Sequence, residues 1–298
     1  MTLSELRFVV SVAQEKNFRR AAAKSFVSQP ALSLAIKKIE NELGLLIFER
    51  NRMGISLTTV GEKIVNQAQI VLEEVDKIKA ISAAERNTQQ VEVKIGLIYS
   101  IAPYLLPSII PLVKNSSPEI ILEAEEDITT NLIKKLEEGS IDAAIIALPF
   151  VVPGIETQPL YDEPFKVLIP TKHPWNNKQK INAKELKNEK ILLLDNTHCF
   201  SMQVREACPG ISDKAEVQAG TSLETIRNMV ASNLGISILP QSATANNYSN
   251  DLINILPFES PIPFRRVAMA FRRGSSKQSS LVKIVKSITS VKEKIIAS

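Results

Sequence analysis

The chain has 298 residues, of which 44% are apolar and 23% charged, and its formal net charge is +4. That length suggests two domains, and the composition suits a globular protein with a sizeable core rather than a disordered or fibrous chain. No apolar run reaches the roughly 18 residues that span a bilayer, and Met1-Thr2-Leu3-Ser4-Glu5 lacks the pattern of a signal peptide, so no membrane partner and a cytoplasmic location are expected.

Residues 1–63 carry ten Lys/Arg against six Asp/Glu, which places the whole positive excess in the first fifth of the chain. A basic segment suits a polyanion such as DNA. Leu3, Leu6, Val9, Val10 and Ala13 recur at helical spacing. Asn17 can cap a second helix from Phe18 to Lys24. Ser28 can cap a third, with Pro30 in its first turn, where a missing N–H costs little. On that helix Leu32, Ile36, Ile39 and Leu43 make an apolar stripe, while Gln29, Ser33 and Lys37 share another face. Gln, Ser and Lys suit base edges and phosphates. Two helices joined by a tight turn read as helix-turn-helix; periodicity alone also allows a small bundle with a solvated polar face. Gly44 ends the helix.

Leu46, Phe48, Ile55 and Leu57 alternate around Asn51-Arg52-Met53-Gly54, a hairpin wing whose Arg50 and Arg52 can reach phosphate. A long helix is expected over 59–86. Its Ile64, Ala68, Val71, Val75 and Ile78 form a heptad-like seam, which pairs two chains or packs on its own chain. Asn87-Thr88-Gln89-Gln90 is a polar break. Beyond it, strands are expected at Val91–Ile98, Ile120–Ala124, Ala143–Ile146, Lys166–Ile169, Ile191–Leu194, Ile236–Leu239 and Val267–Phe271, with helices around Tyr104–Val113 and Asn131–Glu138. That alternation implies βαβ units and mainly parallel sheets.

Cys199 and Cys208 are the only thiols, and His198, one of two histidines, adjoins the first. In a reducing compartment such cysteines are free, metal-bound or redox-active. With His173 and His198 they make a poor zinc site, since no CxxC or HExxH gathers ligands; no metal or other cofactor is expected. No GxGxxG, P-loop or GxSxG is present, so nothing nominates an enzyme. A helix starting near His198, capped by Thr197 or Asn196, would place Cys199 in its first turn, where the helix dipole favours a thiolate. One helix over 199–208 would hold the two thiols about 13.5 Å apart along its axis. A disulfide needs Cα atoms within roughly 7 Å, so bond formation would have to unwind this segment. Burial as two small hydrophobes is the alternative.

Phe18-Arg19-Arg20-Ala21-Ala22, Val27-Ser28-Gln29-Pro30-Ala31-Leu32-Ser33, Ile39-Glu40-Asn41-Glu42-Leu43-Gly44, Phe48-Glu49-Arg50 and Leu57-Thr58-Thr59-Val60-Gly61 occur in order. This series resembles the LysR-type transcriptional regulators. Ile98-to-Pro107, Asp162-Glu163-Pro164, His173-Pro174-Trp175 and Thr221-to-Val230 resemble the peroxide-sensing OxyR branch of that family. The resemblance implies an α/β fold: an N-terminal winged helix-turn-helix over 1–58, a linker and dimerisation helix with hinge over 59–90, and a two-lobed periplasmic-binding-protein-like regulatory domain over 91–298. Lobe I would comprise about 91–162 and 267–298, and lobe II about 163–266. It implies Ser28, Gln29, Pro30, Ser33, Lys37, Arg50 and Arg52 at double-stranded promoter DNA, RNA polymerase as a partner, and homodimers paired into a homotetramer. It makes Cys199 the peroxidatic and Cys208 the resolving cysteine for hydrogen peroxide, with Ser100, Thr129, His198 and Arg266 around the pocket. Met202 departs from the branch, where many members carry an aspartate. The competing functional readings are a small organic effector in the inter-lobe cleft, contacted by Ser100 and Thr129, and a thiol-dependent peroxidase.

Overall fold

The computed structural model describes residues 1–51, 54–86, 90–208, 211, 217–245 and 251–297. Three helices open the chain: α1 (Leu3–Glu15), α2 (Phe18–Lys24) and α3 (Gln29–Leu43). Thr2 and Glu5 form a capping box on α1. Asn17 accepts from the Arg19 and Arg20 amides, and Ser28 from that of Ala31. Gly44 closes α3 at φ +70°, the left-handed region that a glycine enters without strain. Val9, Val12, Ala21, Ala22, Leu32, Ile36 and Ile39 bury a common core.

Strands β1 (Phe48–Asn51) and β2 (Gly54–Leu57) form the antiparallel wing, with Phe48 opposite Leu57. Glu40 sets its start by accepting from the Ile47 and Phe48 amides at 2.8 and 3.1 Å. Helix α4 (Thr59–Arg86) follows. Gly61 lies so close to the Ile47 carbonyl that a Cβ there would collide with it. The apolar seam of α4 is divided. Val65 and Ala68 are buried, and Val65 belongs to the helix-turn-helix core, so the chain itself takes up that part of the seam. Ile78 is 68% exposed.

The remaining elements are β3 (Val91–Leu97), α5 (Ala102–Ser116), β4 (Ile120–Glu126), α6 (Thr129–Glu137), β5 (Ala143–Leu148), β6 (Ile155–Pro170), β7 (Ile191–Leu194), α7 (Cys199–Ala207), β8 (Val217–Gly220), α8 (Leu223–Ala231), β9 (Ile236–Pro240), β10 (Ile253–Pro257), β11 (Phe264–Arg272) and α9 (Gln278–Ala297). The strands join in the order β4-β3-β5-β11-β6-β9-β7-β8, with β10 against β6. The sheet is not mainly parallel. Parallel pairs occur where helices cross over, β3 with β4 and β5, and β7 with β8 and β9. The long strands β6 and β11 run antiparallel to each other and to their neighbours. They bridge two cores: one holds Leu160, Tyr161 and Val267, the other Phe165, Val167 and Ile169. The cleft between the cores is where β3, α6, α7 and β11 converge.

Candidate functional site

Leu194 ends β7, and the chain turns at Asp195, which accepts from the Thr197 amide at 2.9 Å. Helix α7 then begins at Cys199. Its N-cap is His198, with no side-chain cap bond, rather than Thr197 or Asn196. The turn at Asp195 occupies Thr197, which explains why it is not the cap. Cys199 thus sits at the first position of the helix, beside its unsatisfied amides.

The Cys199 thiol is half-buried, and the Thr129 hydroxyl donates to its sulfur at 3.2 Å. Thr129 is the first residue of α6, so two helix N-termini meet at this sulfur. Both termini direct unsatisfied backbone amides toward the sulfur. Ser100, Thr129, His198, Tyr99 and Asp127 line the same cavity, whose volume is ≈ 10 Å³. The Tyr99 and His198 rings meet edge to face at 5.6 Å. Room of this size holds about one water-sized molecule.

The structure brings Ser100, Thr129 and His198 together at Cys199 and corrects the arginine. Arg266 is exposed and grips Asp162 through Nε and Nη2 at 2.6 and 2.8 Å; this pairing raises its pKa and holds the Asp162 carboxyl below its usual value. Arg265 is the buried one. It donates through Nη1 to the Ser100 hydroxyl at 2.7 Å and through Nη2 to the Ser100 carbonyl at 2.9 Å. Its Nε donates to Glu163 at 2.8 Å, and both side chains of the pair are 0% exposed. Its guanidinium carbon lies 5.4 Å from the Phe200 ring centre. The register explains the exchange: Arg265 pairs with Glu163 and Arg266 with Asp162, and successive residues of a strand face opposite ways.

Cys208 lies at the other end of α7, fully buried in the second core, and burial pushes its thiol up to about 12. The thiols are both free. The nine steps of chain between them leave about 13.5 Å along the helix. Gln203, midway, has a buried Oε1 with no hydrogen-bond partner among the described residues. Such an orphan costs about 1–3 kcal/mol, so α7 is less stable than its packing suggests. Pro209 and Gly210, which follow Cys208 in the chain, lie outside the described residues. Met202 is exposed and does not line the cavity. Among the described residues no group of His, Cys, Asp and Glu could hold a metal ion, and no helix is long and apolar enough to cross a membrane.

At the other end of the molecule, Ser28, Gln29, Pro30 and Lys37 are exposed on α3 and Ser33 is half-buried. Gln29 donates to the Ser33 hydroxyl at 2.8 Å, which holds both polar tips on one face. Arg52 lies outside the described residues, as does the side chain of Arg50.

Residues 3–62 match the bacterial regulatory helix-turn-helix family, lysR type, and residues 86–289 match the LysR substrate binding domain. The chain is 37% identical over 277 residues to the hydrogen peroxide-inducible genes activator of Pectobacterium carotovorum subsp. carotovorum, covering 92% of this chain and 91% of that protein. A full-length OxyR variant from Pseudomonas aeruginosa superposes with a TM-score of 0.87 at 46% identity, covering 97% of this chain and 94% of that one. A cysteine variant of Corynebacterium glutamicum OxyR, H2O2-bound, gives a TM-score of 0.68 at 30% identity, covering 99% and 94%.

Proposed function

The chain belongs to the LysR family of helix-turn-helix transcription regulators, and we propose that it senses hydrogen peroxide and passes the signal to promoter DNA. One observation carries this reading: the Cys199 sulfur accepts the Thr129 hydroxyl in a cavity of ≈ 10 Å³, at one end of a helix whose other end holds the second thiol. Hydrogen peroxide has only two heavy atoms and needs only a slight widening of this cavity, whereas an organic effector needs a site of several hundred Å³. The cavity therefore favours peroxide over the small-effector alternative.

The Cys199 thiolate attacks one peroxide oxygen, and the O–O bond breaks. Cys199 becomes a sulfenic acid and hydroxide leaves, taking up a proton. The Cys208 sulfur then attacks the sulfenic sulfur; its proton and the sulfenic hydroxyl leave as water, and the disulfide forms. Two thiols and one peroxide give one disulfide and two waters. The buried Cys208 is not itself a nucleophile until α7 opens. Thr129 and Ser100 orient the peroxide, His198 closes the cavity, and Arg265 fixes Ser100 from behind. One peroxide is spent per switching event, so the protein acts as a regulator rather than an enzyme.

The α3 face of Gln29, Ser33 and Lys37 reads the major groove, with Ser28 and Pro30 shaping the start of the helix and Arg50 and Arg52 on phosphate. Exposed parts of α4 pair two chains, and dimers join as a homotetramer that meets RNA polymerase in the cytoplasm. The domain plan is a winged helix over 1–58, a linker over 59–90 and a two-lobed regulatory unit over 91–298. The test is mass spectrometry of the 199–208 peptide after one equivalent of peroxide, with footprints of both forms. A Cys199 that stays unmodified would sink the proposal.

A further inference from the structure

Helix α6 touches the sulfur at one end and the DNA-binding region at the other. Its first residue, Thr129, donates to Cys199 Sγ at 3.2 Å. Just past its last residue, the Glu138 carbonyl accepts from Gln14 Nε2 at 2.6 Å, and Gln14 lies on α1 of the helix-turn-helix. Beside it, Arg272 donates to the Leu136 and Ile141 carbonyls at 2.6 and 2.8 Å and pairs with Glu73 of α4 at 2.5 Å. Gly139 ends this stretch at φ +70°, and a Cβ there would stand 3.5 Å from Gln69 Nε2 on α4. Two polar contacts thus gather, with Gly139 packed close by, at one end of a nine-residue helix whose other end is the sulfur's hydrogen-bond donor.

The docked arrangement also carries internal costs. Gln69 Nε2 is buried without a partner among the described residues. Lys16, Lys134 and Glu138 line one cavity at the same junction, where the Lys134 side chain and burial lower the pKa of Lys16 and the Glu138 carboxylate opposes them. A junction with an orphaned donor releases more readily than a fully satisfied one.

We propose that α6 is a latch that reports the state of Cys199 to the DNA-binding region of the same chain. The idea rests on Cys199 as the sensing thiol. Disulfide formation pulls the sulfur from Thr129, because Cys208 lies about 13.5 Å away along α7 and the bond needs Cα atoms within roughly 7 Å. The start of α6 then loses its bond to the sulfur, and the shift this allows takes its far end out of register with Gln14 and, through Arg272, with Glu73. The helix-turn-helix is freed to take a new orientation on DNA.

The test uses the full-length protein and a Gln14→Ala/Glu73→Gln double variant, both substitutions lying outside the peroxide cavity and the recognition face. Each is footprinted, reduced and peroxide-treated, on a duplex selected from a random pool by the reduced parent, and the 199–208 disulfide is quantified in the same samples. The expected result is normal disulfide formation in the variant, with loss of the difference between its reduced and oxidised footprints. A variant that keeps the parent's footprint change overturns the latch. A parent that forms the disulfide without changing its footprint overturns it too, while leaving the thiol chemistry standing. A parent that forms no disulfide overturns the sensing reading itself, and the latch with it. Hydrogen exchange on the parent supplies an independent arm if the variant folds poorly. Oxidation should deprotect the amides of 12–16 and 132–139 together, and unchanged protection there overturns the latch.

Discussion

Replacing Arg265 and Arg266 singly by alanine separates two neighbours that differ only in which way they face. Arg265 and Glu163 are both 0% exposed, and Glu163 also accepts from the Ser242 amide at 3.0 Å. Removing one member of a buried pair leaves the other charge unpaired, at a cost of about 3–5 kcal/mol. Each kcal/mol shifts the melting temperature of a 150–250-residue unit by about 2–4 °C, so Arg265→Ala should melt roughly 6–20 °C lower. The Arg266–Asp162 pair is about half exposed on both sides, where solvent screens it, and its loss should leave the melting curve unresolved from the parent. Differential scanning calorimetry of the full-length reduced protein reads both. Arg265→Ala should also slow Cys199 oxidation, since Ser100 loses both bonds that fix it. The double change Arg265→Met/Glu163→Leu should recover much of the stability, because apolar residues of similar volume replace buried ion pairs at little cost, without restoring the oxidation rate. If Arg266→Ala proves the more destabilising single change, the assignment of the buried arginine is wrong.

Thr129→Val keeps the shape of the side chain and removes the donor to Cys199. A hydrogen bond to a charged group is worth about 1.5–3 kcal/mol, so stopped-flow oxidation should slow about tenfold or more; an unchanged rate argues against the contact. Gln203→Met removes the orphaned carbonyl from α7 and should raise stability by about 1 kcal/mol or more. It should also delay disulfide closure without altering the first oxidation step, as followed by trapping the sulfenic acid. Burial raises the Cys208 thiol from 9.0 to about 12, so its contribution is intact below pH 9 and is lost as pH rises toward 12. Between these limits the parent should lose up to about 1.4 kcal/mol of stability per pH unit more than Cys208→Ala does, and parallel alkaline denaturation curves would refute this. Lys37→Ala should weaken binding to all duplexes and reduce the salt slope by about one, whereas Gln29→Ala should relax sequence preference; filter binding across salt concentrations distinguishes them.

The N-terminal elements were legible because local chemistry decides them. Asn17, Ser28 and Gly44 punctuate the helices as their side chains predict, and α4 has the bounds its periodicity implies. The cavity was legible only in part. Ser100, Thr129 and Cys199 come from three separate elements, and nothing in their spacing shows that they meet. The choice between Arg265 and Arg266 depends on which face of β11 is buried, and long-range register with β6 decides that. The first half of β6 lacks an apolar run, and it is a strand because β11 pairs with it. The antiparallel pairs escape local reading for the same reason. Gln14 carries no signal in sequence, since its partner is a carbonyl 124 residues away.

Helix α7 separates the two thiols, and this gives the response a time axis. A molecule of peroxide is registered at Cys199 while the fold is intact, and that record can still be erased by reduction. Closure has to wait until the helix opens and brings Cys208 out of its core. A brief pulse of oxidant would leave only the erasable mark, and a sustained one would outlast the waiting time and commit the switch. The stability of nine residues thus decides how long a signal must last before it is acted upon.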